Sequence, residues 1–344
     1  MKQYVTGLLA ALLLTLPVGA YCEISLPATI AQLQKEALQG NAVAQNKLGL
    51  MYYTGKGVKL DYVEAFRWYR KAAEQDRAWA QVSLGVMYEK GQGVKQDYSE
   101  ALQWYRKSAE QGLPNGQYYL GVLYEKGQGV KQDYAEAAGW FQKAAVQGLA
   151  VAENKLGLMY YTGRGVNQNY AEASGWFRKA AVQGLALAQN SLGVMYYTGQ
   201  GVKQDYAESA EWFRKAAVQG LAVAENKLGL MYYAGQGVEQ DYAEATGWFR
   251  KAAVQGLAEA QLNYGMQYYT GRGVEQDYVE SAGWFRKAAV QGLAEAQYNL
   301  GVVYMNGRGT TKDEMQAKEW YSKACNNRYQ PACDAYRMIN EREH

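Results

Sequence analysis

NSLGVMYYTGQGVKQDYAESAEWFRKAAVQG, Asn190–Gly220, is the stretch that decides how the chain folds. Just upstream of it and into its first part, Ala188, Leu192, Met195 and Tyr196 fall at i, i+4, i+7 and i+8, the spacing of one helical face. This is helix A. It is expected to stop at Gly199, the first residue of a Gly-x-Gly-Val loop, where glycine takes the left-handed backbone that closes a helix. Asp205-Tyr206-Ala207-Glu208 follows, close to the capping-box pattern that opens a helix, with Asp as the acceptor. Helix B then carries Ala210, Trp212, Phe213, Ala216 and Ala217 and ends at Gln219-Gly220. Its alanines permit close packing, and the tryptophan is expected to supply buried area worth about 2–3 kcal/mol.

The same unit recurs eight times. A glycine sits at Gly49, Gly85, Gly121, Gly157, Gly193, Gly229, Gly265 and Gly301, always thirty-six residues apart. Tryptophan keeps the same step from Trp68 to Trp320. A mid-helix glycine costs about 1 kcal/mol against alanine, so its return in every copy implies that another helix approaches too closely for a side chain. Repeated helix pairs bury their apolar faces against one another, so the 344 residues are expected to form one continuous all-α solenoid of helix-turn-helix repeats.

Residues 1–20 read differently. Lys2, the apolar run Val5–Val18 and the small residues Val18-Gly19-Ala20 form a secretory signal peptide pattern, with cleavage expected after Ala20. A permanent membrane anchor would need about 20 apolar residues. Lipid attachment at Cys22 calls for a small preceding residue, and Tyr21 stands there. Residues 21–40 are expected to hold a capping helix, Ser25 to Gln39, stopped by Gly40. The repeats then occupy 41–328, and a last helix caps them in 329–344. The 36 Lys and Arg against 33 Asp and Glu leave a net charge of +3, spread evenly along the array, which argues against nucleic acid or an anionic membrane as the main partner.

The unit Ala-x-x-x-Leu-Gly-x-Met-Tyr-x-x-Gly-x-Gly-Val-x-x-Asp-Tyr-x-Glu-Ala-x-x-Trp-x-x-Lys-Ala-Ala-x-x-Gly closely resembles the Sel-one-like repeat (SLR) family, a relative of the tetratricopeptide repeat, from about Asn41 to Arg328. The resemblance implies an α/α right-handed superhelix and a scaffold or adaptor that holds other proteins together. It also implies, for an exported bacterial member, action at the envelope or on host proteins. The sequence departs from the pattern mainly at its ends: Asp76 replaces the turn glycine, and Asn326-Asn327-Arg328 replaces the last turn.

Cys325 takes the register of Ala289 at the end of helix B, and Cys333 that of Gln297 at the start of the next helix, so the pair faces across the turn. In an exported protein this should be a disulfide, worth about 2–3 kcal/mol in the chain-entropy picture. Such spacing also resembles the cysteine-rich SLR branch. No further ligands accompany the pair, so no metal is expected.

The chain lacks the residues of common catalytic sites. His344, the last residue, is the one histidine, which excludes His-dependent triads. Gly55-Lys56 is followed by Gly57 where a phosphate loop needs Ser or Thr, and the Gly-x-Gly loops follow no strand, so no cofactor is expected. Cysteine-rich relatives are linked with penicillin binding and β-lactamase activity, but neither Ser-x-x-Lys nor Lys-Thr-Gly occurs. The recurring carboxylates are explained as helix caps and not as a glycosidase pair.

Positions that vary between copies are free to recognise a partner. Helix A is expected to line the concave side, showing Leu187, Asn190, Val194 and Tyr197 opposite its packed face. Along the array this gives an asparagine ladder (Asn154, Asn190, Asn226) beside a tyrosine row (Tyr161, Tyr197, Tyr233, Tyr269), suited to an extended peptide or to packing between neighbours. Trp79, Tyr118 and Tyr298 are the aromatic anchors expected to concentrate binding energy. The reading is a periplasmic or secreted, non-enzymatic scaffold for a protein or peptide, with no stable membrane insertion after signal cleavage. An envelope enzyme or binder acting on peptidoglycan or β-lactams is the alternative.

Overall fold

The computed structural model describes residues 30–342. The signal peptide, Cys22, the first part of the helix expected from Ser25, and His344 lie outside the described residues. The chain divides into two compact units between Asp133 and Tyr134. In the first, α1 (Ile30–Leu38) precedes α2 (Ala42–Thr54), α3 (Tyr62–Ala73), α4 (Ala78–Lys90), α5 (Tyr98–Glu110) and α6 (Pro114–Lys126). The second holds α7 (Tyr134–Val146), α8 (Ala150–Thr162), α9 (Tyr170–Val182), α10 (Ala186–Thr198), α11 (Tyr206–Val218) and α12 (Ala222–Ala234). It continues through α13 (Tyr242–Val254), α14 (Ala258–Thr270), α15 (Tyr278–Val290), α16 (Ala294–Asn306), α17 (Glu314–Asn326) and α18 (Gln330–Arg342). Every element among the described residues is a helix, and the expected all-α solenoid of helix pairs is what forms. Even-numbered helices α2–α16 are the A helices and odd-numbered α3–α17 the B helices.

The B helices α3, α5, α9, α11, α13, α15 and α17 each start on the side chain that the sequence nominated. Asp205 accepts hydrogen bonds from the Ala207 and Glu208 N–H groups at 2.9 and 3.0 Å. The reciprocal half of the capping box is replaced, because the Asp205 N–H donates to the carbonyl of Tyr196 in the preceding A helix (3.0 Å). One residue thus caps the B helix and ties it to helix A. The linking loop depends on both its glycines. Gly199 has φ 74° and donates its N–H to the Met195 carbonyl at 2.8 Å. Gly201 has φ 71°, and a Cβ there would land on the Tyr170 carbonyl at the start of the preceding repeat's B helix. Loop and neighbour therefore touch through bare backbone.

The glycine inside helix A makes room for a ring and not for a helix backbone. A Cβ on Gly193 would lie 2.9 Å from the Phe213 ring. The same pairing recurs at Gly85 with Tyr105, Gly229 with Phe249 and Gly301 with Tyr321. These rings, and not the tryptophans, carry the expected burial. Phe177, Phe213, Phe249 and Phe285 are fully buried, while Trp212 is the one buried member of its series and the others are half-buried. Ring planarity lets Phe or Tyr lie flat against the glycine, which leaves the preceding tryptophan turned outward. Each of these tryptophans carries the lysine three residues later over its ring, from 3.5 Å (Lys287 on Trp284) to 4.6 Å (Lys71 on Trp68). Such a pair stabilises an exposed helix by about 0.5–1 kcal/mol.

A second, buried tie joins repeats. The Gln189 Nε2 donates to the Ala181 carbonyl (3.1 Å), and its Oε1 accepts from Gln219 of the next turn (2.8 Å). Gln81 and Gln261 do the same. In two copies the position is Glu: Glu153 and Glu225 accept from Gln183 and Gln255, both at 2.7 Å. Burial pushes both carboxyls above the ordinary carboxylate range, against the pull of Lys179 and Lys251.

The atypical turns keep the geometry of the glycine they replace. Asp76 has φ 59° and Arg328 φ 64°. Cys325 and Cys333 form the expected disulfide, with Cα atoms 4.6 Å apart, joining α17 to α18.

Candidate binding surface

The A helices are apolar on nearly every side, so the side opposite the packed face is only partly free. Val82 and Leu262, in the register of Asn190, and Val86, in that of Val194, are buried, and so is Asn226, whose Oδ1 accepts from Asn263 at 2.9 Å. Asn190 is half-buried, as is Asn154. The asparagine ladder therefore lies partly inside the stack.

The tyrosine row makes specific ties between repeats. Tyr161 and Tyr197 donate their hydroxyls to Gln200 and Gln236 of the next loop, at 2.7 and 2.8 Å. The hydroxyls of Tyr233 and Tyr269 instead accept from Arg272 and Arg308. Each of these rings also meets the first tyrosine of its own B helix edge-on, as Tyr197 does Tyr206 at 5.2 Å. The middle residue of the Gly-x-Gly loop, which sequence reasoning passed over, is thus the partner of this row. Its signal was a polar side chain in every copy.

Tyr118 packs edge-on to Tyr119 at 5.4 Å, and burial pushes its hydroxyl up to about 12. Tyr119 in turn stacks on the buried Tyr105, which donates to Glu89 at 2.8 Å. Tyr298 sits between Tyr321 and Tyr329, 5.5 and 5.4 Å away. Both anchors are therefore also structural, since removing either ring opens a cavity.

Trp79 is different. It is 38% exposed and lines an open hollow of about 420 Å³ with Asp76, Arg77, Leu113 and Pro114. Three of those neighbours break the repeat consensus: Asp76 for Gly, Arg77 for Leu and Pro114 for Ala. The hollow joins two A-helix starts, α4 and α6, neither of which has a side-chain cap. An apolar wall beside one guanidinium and one carboxylate, Arg77 and Asp76, favours an apolar group with polar neighbours and no net charge.

Among the described residues no group of three His, Cys, Asp or Glu side chains could hold a metal ion, and no helix is long and apolar enough to cross a membrane.

The Sel1 repeat family matches residues 42–76, 80–113, 114–149, 150–185, 186–221, 222–257, 258–293 and 294–329. The fold is similar to that of a protective antigen of uropathogenic Escherichia coli strains displaying an SLR fold, 39% identical, with a TM-score of 0.83 over 92% of this chain and 68% of that one. It is also similar to a Sel1 repeat protein from Oxalobacter formigenes, 36% identical, with a TM-score of 0.67 over 92% and 91% of the two chains. No curated protein matches the chain.

Proposed function

Because this chain belongs to the Sel1-repeat family, whose members generally bind proteins, we propose that it is an exported, non-enzymatic scaffold that holds a protein or peptide on the exposed side of its A helices. Trp79 is the observation that carries this reading. The repeat does not demand a tryptophan there, the ring is left in solvent, and the surrounding departures from consensus gather in the same hollow. In the second unit, Asn154, Asn190, Tyr161 and Tyr197 offer a surface of their own on the A helices, with the two tyrosine hydroxyls already bound to Gln200 and Gln236. The disulfide between Cys325 and Cys333 supports an oxidising compartment, periplasmic or extracellular.

The test is affinity capture from envelope extract and culture fluid with the unaltered chain and with Trp79→Ala. A protein held by the first and lost by the second, with both equally stable to heating, supports the scaffold. Equal capture by both, or hydrolysis of peptidoglycan or a β-lactam that survives Trp79→Ala, would refute it. Tyr118→Ala and Tyr298→Ala serve as secondary variants, because their packing makes stability a confounding readout.

A further inference from the structure

The residue that ties each A helix to the repeat before it is not the same in every copy. Along the array it reads Gln45, Gln81, Gln117, Glu153, Gln189, Glu225, Gln261 and Gln297. All eight are buried, Glu153 and Glu225 to 3% exposure. A glutamine here makes two bonds of opposite sense. Gln189 accepts from Gln219 at the close of α11 (2.8 Å) and donates its Nε2 across the B-to-A turn to the Ala181 carbonyl in α9 (3.1 Å). Gln261 and Gln297 repeat the donation, to Ala253 in α13 and Ala289 in α15, at 3.2 and 3.1 Å. This second bond joins the A helix to the B helix of the preceding repeat.

Glu153 and Glu225 keep the accepting bond, from Gln183 and Gln255, and as carboxylates have nothing to donate. By register, their second oxygen stands where Gln189 carries its N–H donor, against the carbonyls of Ala145 in α7 and Ala217 in α11. Each of those carbonyls retains only the turn glycine, Gly148 or Gly220, as a 2.9 Å donor from the turn. Two oxygens facing each other in a buried site repel where the other joints attract.

The surrounding charge does not reverse this. α8 packs against α7 and α9, and α12 against α11 and α13. From α9, Lys179 faces Glu153, and from α13, Lys251 faces Glu225. The lysines of α7 and α11, Lys143 and Lys215, lie over Trp140 and Trp212 instead, at 3.8 and 3.9 Å. Glu136, Glu172, Glu208 and Glu244 stand in the first turns of these four helices, at the end away from the joint. Arg178 donates to Tyr196, Arg214 pairs with Glu211 at 2.6 Å, and Arg250 lies by Tyr264. On the A helices themselves, Lys155 and Lys227 follow two residues on, about 200° round the helix. Burial outweighs Lys179 and Lys251 and raises both carboxyls above the ordinary value of about 4.3.

We propose that Glu153 and Glu225 make the joints α7–α8 and α11–α12 acid-closing hinges. Ionised, each leaves its joint open to local fluctuation; protonated, each donates its O–H to the carbonyl opposite and locks the A helix onto the preceding repeat. The joint then gains the bond that the glutamine joints hold at every pH. A closed joint binds the proton more tightly than an open one, so acid favours closure, and closure is lost as pH rises through the raised pKa. Asn154 and Tyr161 ride on α8, and Asn226 and Tyr233 on α12, so the A-helix surface they form is adjustable at neutral pH and fixed in acid. The device does not depend on what that surface binds.

The chain contains its own control. Residues 145–153 and 217–225 are identical, and residues 181–189 differ from the first of these only by Leu187 for Val151 and Gln189 for Glu153. Hydrogen exchange of the full chain, read by mass spectrometry, therefore compares joints of nearly equal intrinsic rate at a single pH. The two Glu turns, which report as one signal, should exchange about fivefold faster than the Gln189 turn at pH 7, the equivalent of one hydrogen bond. At pH 4 the rates should match. Glu153→Gln with Glu225→Gln should remove the difference at pH 7, and Gln189→Glu should create a third pH-dependent joint at residues 181–189. Equal protection of the turns at pH 7, or a difference that persists at pH 4 or in the glutamine variant, would overturn the proposal. So would a folded Gln189→Glu chain whose turn stays as protected at pH 7 as the parent's.

Discussion

Replacing Glu153 and Glu225 by glutamine should stabilise the protein at neutral pH. In the glutamine copies the side chain both accepts from the next turn and donates to a helix B carbonyl, as Gln189 does to Ala181. Glu153 and Glu225 keep the accepting half, but an ionised carboxylate has no proton for the carbonyl opposite. Restoring a buried neutral hydrogen bond is worth about 0.5–1.5 kcal/mol, and removing a desolvated charge adds to it, so each substitution should yield about 1–2 kcal/mol. The two sites lie two repeats apart and should add. For a unit of this size each kcal/mol raises the melting temperature by about 2–4 °C. The pH dependence gives the sharper test. Both carboxyls have folded-state pKa values above their unfolded values, so the folded state binds protons more readily. The parent's deficit is then fully present above the raised folded pKa and relieved as pH falls through it toward the unfolded value, where a protonated Glu can donate like Gln. Melting curves of Glu153→Gln with Glu225→Gln against the parent should therefore diverge at pH 7 and converge toward pH 4. A gain that is absent at pH 7, or as large at pH 4 as at pH 7, would refute the reasoning.

Gly201→Ala should destabilise its repeat by about 2–3 kcal/mol or more, since the new Cβ would meet the Tyr170 carbonyl; Gly193→Ala, pressed against the Phe213 ring, should cost about 1–3 kcal/mol by urea unfolding. Asp76→Gly should raise stability by about 1 kcal/mol by relieving the left-handed backbone, and Arg328→Gly should do the same at the last turn; a loss of stability in either would count against that account. Reducing the disulfide between Cys325 and Cys333 should loosen α18 selectively, seen as faster amide exchange in residues 330–342 with the central repeats unchanged.

The repeat was legible from single letters because its determinants are local. A left-handed turn needs glycine, a helix start needs a short acceptor, and a thirty-six-residue period leaves little freedom in where the helices fall. Asp205, Gly199 and the pairing of Cys325 with Cys333 were all readable for that reason. What the tertiary structure decided was which neighbour each side chain meets. Helical periodicity shows that Trp212 and Phe213 both turn inward, but not that Phe213 alone lies against Gly193 while most tryptophans stay half outside under a lysine. It places Tyr197 on the free side of helix A, yet the ring's hydroxyl is bound by Gln236, thirty-nine residues away in the following loop. Trp79 stood out as an unrepeated letter, while the gathering of Asp76, Arg77 and Pro114 around it required the stacking of successive turns. Sequence fixes the unit because backbone conformation depends on adjacent residues; the contacts between units depend on distance and angle in space, which the period alone does not contain.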